Sequence, residues 1–335
     1  MPVPADQSYQ DFVKATFNYF MNPVDHPHVY AGRTIRQLYG CYSRYDSDPT
    51  FPPKVALAGI ALYTELDTFI TNVGARIIRV QRDHWNIMNK AAVQIEYQNR
   101  IGGGHAALSN SARRARDTYL HVYPTGTAGV PPKNVTPPPA RAAITPNWRI
   151  GINVEPNSIA GAAQALMGLM DAQNDIGHIK FSAPGMAGKP DSVIVYLRKR
   201  RQTYATIRAA VQVAVAPLNI QQKFSPIWNE FAPGLGEASE PPKNGGSFGT
   251  FRCTLAYLAY PQLRSAARTL SLSEYQDRID ETFEIFGIPR FHPNEQGPLG
   301  SPPYDDVWRR RFMRAFGSYK GVYPNEYQNR LLTDR

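Results

Sequence analysis

Lys180, His178, Tyr196, Arg149 and Arg198 place an amine, an imidazole, a phenol and two guanidiniums on three short, strand-like segments. In the first, Trp148, Ile150, Ile152 and Val154 alternate with Arg149, Gly151, Asn153 and Glu155. That period of two predicts a half-buried strand. His178-Ile179-Lys180-Phe181 repeats the alternation and sets His178 and Lys180 on a shared face. Ser192 to Arg198 puts Ile194, Tyr196 and Arg198 on one side, with Val193, Val195 and Leu197 on the other. Such a set can hold a phosphate ester and move protons around it. The plain alternative is that Lys180 and Tyr196 stand on the solvent face of an antiparallel sheet, where such residues are common. The pattern alone favours neither.

The elements expected to position these residues follow from periodicity. Helices are predicted at Tyr9 to Met21, Thr34 to Tyr45, Pro53 to Val80, Asn157 to Asp171, Thr203 to Ala216, Phe251 to Leu263 and Leu272 to Phe286. Ala92 to Tyr97 and the aromatic run Tyr119-Leu120-His121-Val122-Tyr123 read as strands. Seven prolines and two glycines at 124–147 read as an extended linker. A second Gly/Pro-rich loop is expected from Ala232 to Gly249. The expected fold is α+β, with a mixed or antiparallel sheet flanked by helices. A mostly helical subdomain with a short sheet would span 1–123, and a second α+β subdomain carrying the site would span 148–335.

Composition narrows the function classes. Apolar residues make up 42% of the 335, too many for general disorder. No run reaches the length of a membrane helix, and no membrane partner is expected. The first residues lack the basic start and apolar run of a cleavable signal. A bacterial cytoplasmic location is therefore expected, with type III export left open. Two cysteines, Cys41 and Cys253, are too few for a disulfide framework or a cysteine-rich metal site. No metal site is expected.

A net charge of +10 (37 basic against 27 acidic) favours an anionic partner. The basic clusters, Arg113 to Arg116, Arg198 to Arg201 and Arg309 to Arg314, are scattered, and none lies in a nucleic-acid module. Gly245-Gly246-Ser247-Phe248-Gly249 spells a nucleophile elbow, but Glu240-Pro241-Pro242-Lys243-Asn244 before it is no buried strand. It is rejected as a hydrolase signal. His105 reads as a surface histidine; His292 has the same reading, with an anion-binding alternative beside Arg290 ranked below it.

Several short strings carry a family resemblance. They are Thr34-Ile35-Arg36-Gln37-Leu38-Tyr39 with Tyr42, His178-Ile179-Lys180-Phe181 and Pro190-Asp191-Ser192-Val193-Ile194-Val195-Tyr196-Leu197. Pro241, Ser247-Phe248-Gly249 and Arg252-Cys253 complete them. The chain resembles the HopA-type family of type III secretion effectors, whose domain also occurs as the lyase component of class V lanthipeptide synthetases. More remotely, the order strand, helix, Lys strand, Tyr strand, Arg is similar to the phosphothreonine lyase effectors. That resemblance implies elimination of phosphate from phosphoserine or phosphothreonine in a peptide, without metal or cofactor, and possible service by a partner kinase. It implies Lys180 as base, Tyr196 as the tyrosine, and Arg149 and Arg252 as phosphate ligands. Gly151 stands where that family has its acid histidine, and His178 is the nearest replacement in sequence. Arg198 and Asn153 complete the expected substrate-binding set.

Elimination needs a neutral amine, which partial burial and the charges of Arg149, Arg198 and Arg252 would favour. Two rivals have distinct signatures. A non-catalytic adaptor would show exposed aromatics in a groove and no convergence on Lys180. A nucleic-acid binder, ranked well behind, would join its basic clusters into one stripe.

Overall fold

The computed structural model describes residues 5–21, 56–74, 76, 78–80, 119–125, 146–185, 190–222, 224–241, 248–259, 271–289 and 294–295. Outside them lie the expected helix Thr34 to Tyr45, the strand Ala92 to Tyr97, most of the 124–147 linker, His105, His292, and the first and third basic clusters.

The fold is α+β. Helices are α1 (Ala5–Met21), α2 (Gly59–Val73), α3 (Ile159–Ala172), α4 (Tyr204–Val215), α5 (Phe248–Ala259) and α6 (Leu272–Ile285). Strands are β1 (Ile78–Val80), β2 (Tyr119–Val122), β3 (Trp148–Ile152), β4 (Ile176–Ser182), β5 (Val193–Leu197), β6 (Asn229–Ala232) and β7 (Leu235–Ser239). They form one sheet in the order β1-β2-β4-β5-β3-β7-β6. The pairs β1–β2, β2–β4, β4–β5 and β3–β5 are antiparallel.

Packing divides the chain into two compact units that do not follow chain order. One comprises Met1–Phe51, Ser225–Phe231 and Ala238–Arg335, the other Pro52–Phe224 and Ala232–Glu237. Strand β2, from before the Pro-rich span, pairs with β4, from after it, with Tyr119 opposite Ser182 and His121 opposite Lys180.

In the second unit the sheet has one apolar face. Leu120, Val122, Ile150, Ile152, Ile179, Phe181, Val193, Val195 and Leu197 are all buried, as strand alternation requires of residues lining a core. Phe69 of α2 meets Phe181 edge-on at 5.3 Å between centroids. Helix α2 buries Leu62, Leu66, Phe69, Ile70 and Val73, the 3.6-residue stripe of an amphipathic helix. Its neighbour α3 buries Leu166, Met167 and Met170. Glu65 of α2 accepts the Ala160 N–H at 2.7 Å and so caps the N-terminus of α3 from outside.

The first unit joins α1 to α6. Tyr9 donates to Asp280, and the Tyr9 and Phe283 rings lie 5.9 Å apart. A capping box, Ser271 with Glu274, starts α6.

Two expectations need correction. Among the described residues, the helix read from Pro53 to Val80 is α2 over Gly59–Val73, and Ile78–Val80 is strand β1. Gly74, at φ 63°, stops the helix in a conformation that L residues rarely adopt. Within the loop read from Ala232 to Gly249, Leu235–Ser239 forms β7. The turn before it holds Gly234 at φ 70°, where a Cβ would meet the Gln221 carbonyl oxygen at 2.0 Å. The strand escaped the sequence reading because Leu-Gly-Glu-Ala-Ser is poor in β-branched and aromatic residues.

Candidate functional site

Opposite the apolar face, the register of β2, β4, β5 and β3 lines the polar residues into rows. Arg149 stands opposite Tyr196, and Tyr196 opposite His178. The next row runs His121, Lys180, Ile194 and Gly151. Tyr119 and Ser182 are partners one step further on. No Asp or Glu occupies this face on the four strands.

Adjacent strands lie about 4.8 Å apart, and the rings exploit that spacing. His178 stacks on Tyr196 at 4.2 Å between centroids, with planes 13° apart. From the β2 side Tyr123 and His121 stack on His178 at 5.1 and 5.2 Å. The Arg149 guanidinium closes the line, its Cζ 5.3 Å from the Tyr196 centroid. Lys180 Nζ sits 3.7 Å from the Tyr119 centroid, an ammonium resting on a ring face.

Burial separates the charged groups from the rings. Lys180 is 6% exposed, Arg149 3% and His121 7%, whereas His178 and Tyr196 are partly open. This removes the alternative of a solvent-facing Lys180. It also corrects the expected half-buried first strand, since every residue of β3 is buried. A face bearing Lys180, Arg149 and two imidazoles, with no carboxylate on its own strands, is chemically suited to an anion.

Beyond β3, Asn153 is fully buried, its N–H donating to the Gly234 carbonyl at 2.9 Å and its carbonyl accepting from Gln221 N–H. Ser192 pins the same end: its Oγ accepts the Val154 N–H at 2.6 Å and lies 2.8 Å from the Val154 carbonyl oxygen. Arg198 follows β5, half-buried, its N–H donating to the Asp175 carbonyl at 2.9 Å. Arg252 belongs to the other unit. There it is fully buried on α5, its Cζ 4.5 Å from the Phe248 centroid, and donates to the Glu295 carbonyl at 2.9 Å.

The structure thus sets Lys180, His178, Tyr196 and Arg149 on one face. Sequence reasoning missed His121, Tyr119 and Tyr123. Their alternation in Tyr119-Leu120-His121-Val122-Tyr123 put them on one side of a strand, but nothing in the sequence said that β2 pairs with β4. Among the described residues, no group of three His, Cys, Asp or Glu could hold a metal ion. Nor is any described helix long and apolar enough to cross a membrane.

Residues 134–293 match the model of the HopA1 effector protein family. The segment includes β3, β4 and β5, and over it the expected resemblance to the HopA-type effectors is borne out. Two solved structures share the fold. The effector protein from Pseudomonas syringae pv. syringae strain 61 is 17% identical, with a TM-score of 0.58. That from Pseudomonas syringae pv. tomato strain DC3000 is 15% identical, with a TM-score of 0.57. In both cases the match covers 88% of this chain and 99% of the other. No curated protein matches the chain.

Proposed function

We propose that this HopA1-like chain is a carbon–oxygen lyase that eliminates phosphate from phosphoserine or phosphothreonine in a peptide, leaving dehydroalanine or dehydrobutyrine. The observation that carries the reading is the Lys180–Arg149 face: two buried cations flanking the stacked His178 and Tyr196, with no carboxylate on the same strands.

In this mechanism Arg149 grips the phosphate through paired N–H donors, and the partly open edge of His178 and Tyr196 admits the peptide. Lys180, as the free amine, takes the Cα proton. The Cα–H electrons form the Cα=Cβ bond as the Cβ–O bond breaks, and inorganic phosphate leaves. His178 as imidazolium donates a proton to the departing oxygen, with His121 stacked against it as a second imidazole. Tyr196 steadies the negative charge that develops on the substrate carbonyl oxygen. Nζ rests on the Tyr119 face, and in this mechanism Lys180 leaves that face to reach the Cα proton. Arg198 and Asn153 flank this region, and Arg252 has its own packing role in the other unit.

A kinase of the same pathway would supply the phosphorylated peptide. Lanthipeptide maturation in the bacterial cytoplasm would use this chemistry, as would an exported effector acting on a host phosphoprotein. The test is to incubate the protein with a phosphothreonine peptide and a small thiol. Elimination yields a thioether adduct on the dehydrated residue. Peptide that stays phosphorylated, or that regains its hydroxyl, contradicts the reading.

A further inference from the structure

The turn after β5 carries four consecutive cations, Arg198, Lys199, Arg200 and Arg201, and the fold engages two of them. Arg200 Nε lies 3.0 Å from Asp175 Oδ1, and Thr203 Oγ1 donates to the other oxygen of that carboxylate. Lys199 Nζ rests 3.4 Å above the Trp148 ring, while its backbone N–H donates to Asn147 Oδ1. The guanidiniums of Arg198 and Arg201 make no ion pair or ring contact among the described residues. The turn is therefore anchored by two cations and presents the other two, which lowers the ordering cost of binding through them.

Position makes this pair informative. Arg198 lies two residues beyond Tyr196, one step further along the alternation that sets Tyr196 beside Arg149 and His178. Two residues along a strand advance about 6.6 Å, which is also the spacing of alternate side chains in an extended peptide. We infer that the Arg198–Arg201 turn is a docking surface for an acidic peptide, reading a carboxylate two residues from the phosphorylated side chain. The spacing rests on the lyase reading; the preference for acidic peptide does not. Nucleic acid fits less well, because the nearby Trp148 is buried beneath Lys199 and its Nε1 donates to Tyr204 Oη, leaving no open ring for a base.

Fluorescence anisotropy with labelled phosphothreonine peptides, identical except for Glu, Ala or Lys two residues to either side, tests the inference. Glu peptides should bind about three- to ten-fold tighter than Lys peptides, on the side that reaches Arg198, and rising salt should erase the difference. Arg201→Glu should flatten or invert the preference and Arg198→Gln should weaken it. Lys14→Glu, an equal charge change on an exposed residue of α1, should leave it intact. Indifference to flanking charge, a preference that survives both turn variants, or equal competition by a single-stranded oligonucleotide overturns the proposal. With Lys180→Ala as the background of every protein, the peptide keeps its phosphate and binding is read without turnover, so the two ideas fail separately. Glu preference without elimination sinks only the lyase reading, and elimination indifferent to flanking charge sinks only this one.

Discussion

His121 stands directly opposite Lys180 across the β2–β4 pair, while its ring stacks on His178 at 5.2 Å. One imidazole thus touches both the proposed base strand and the proposed acid. Gly151, at the far end of the same row, contributes no side chain, and the proposed acid, His178, lies on the β2–β4 side. Exchanging His178 for Asn should lower kcat by about 100-fold or more, the usual worth of a positioned acid. His121→Asn should cost less. Because the two rings act as one unit, the double variant should be little worse than His178→Asn. Steady-state kinetics on a phosphothreonine peptide reads all three, and strictly multiplicative losses would show that the rings act independently.

Arg149→Lys keeps the charge but loses the paired donors and the planar contact with Tyr196. Inorganic phosphate should bind about ten-fold or more weakly to this variant, by calorimetry, with the fold intact by circular dichroism. Unchanged phosphate affinity would remove Arg149 from the anion site.

Much of this face was legible because strand alternation survives in sequence. Arg149 with Gly151, His178 with Lys180, and Tyr196 with Ile194 could be assigned to sides from the period of two, and the register bears out each pairing of sides. Strand order was not legible. That β5 lies between β4 and β3, and that β2 comes in beside β4, depends on contacts across long stretches of chain, which local patterns do not encode. His121 was missed for that reason alone. Strand β7 was missed for another: a Gly-Glu-Ala-Ser run is held as strand by its neighbours, not by its own propensity. Arg252 was expected as a phosphate ligand from the resemblance alone; the structure shows its guanidinium over Phe248 in the other unit.

Ser192→Ala separates stability from chemistry. The hydroxyl satisfies the buried Val154 N–H at the end of β3, and losing it should destabilise the protein by about 1–3 kcal/mol in urea unfolding. If the protein is the proposed lyase, its KM in the folded fraction should stay within about two-fold, since Ser192 holds the strand end. A large KM change would give Ser192 a direct part in binding.

Two carboxylates give stability opposite pH dependences. Burial raises Glu65 above its usual range against the lowering effect of the Ala160 and Ile159 N–H groups. The folded state therefore holds that proton more tightly than the unfolded one, and stability gains as pH falls through the Glu65 window above 4.5. Asp171 runs the other way. Burial would raise it, but Arg76 and Thr125 together hold it below 3.8. Its contribution is present above that value and is lost as pH falls further, modestly, because the pair is partly exposed. Glu65→Gln should abolish the first dependence and Asp171→Asn the second, as read from urea midpoints across an acid pH series. A Glu65→Gln protein that keeps the upper dependence would place that titration elsewhere.

Mass spectrometry of a phosphothreonine peptide, incubated in parallel with the wild-type protein and with Lys180→Ala, tests the central claim most directly. The account predicts loss of the whole phosphoric acid unit with wild type and an unchanged phosphopeptide with the variant. Elimination by Lys180→Ala at the wild-type rate, or a wild-type product that retains its hydroxyl, would contradict it.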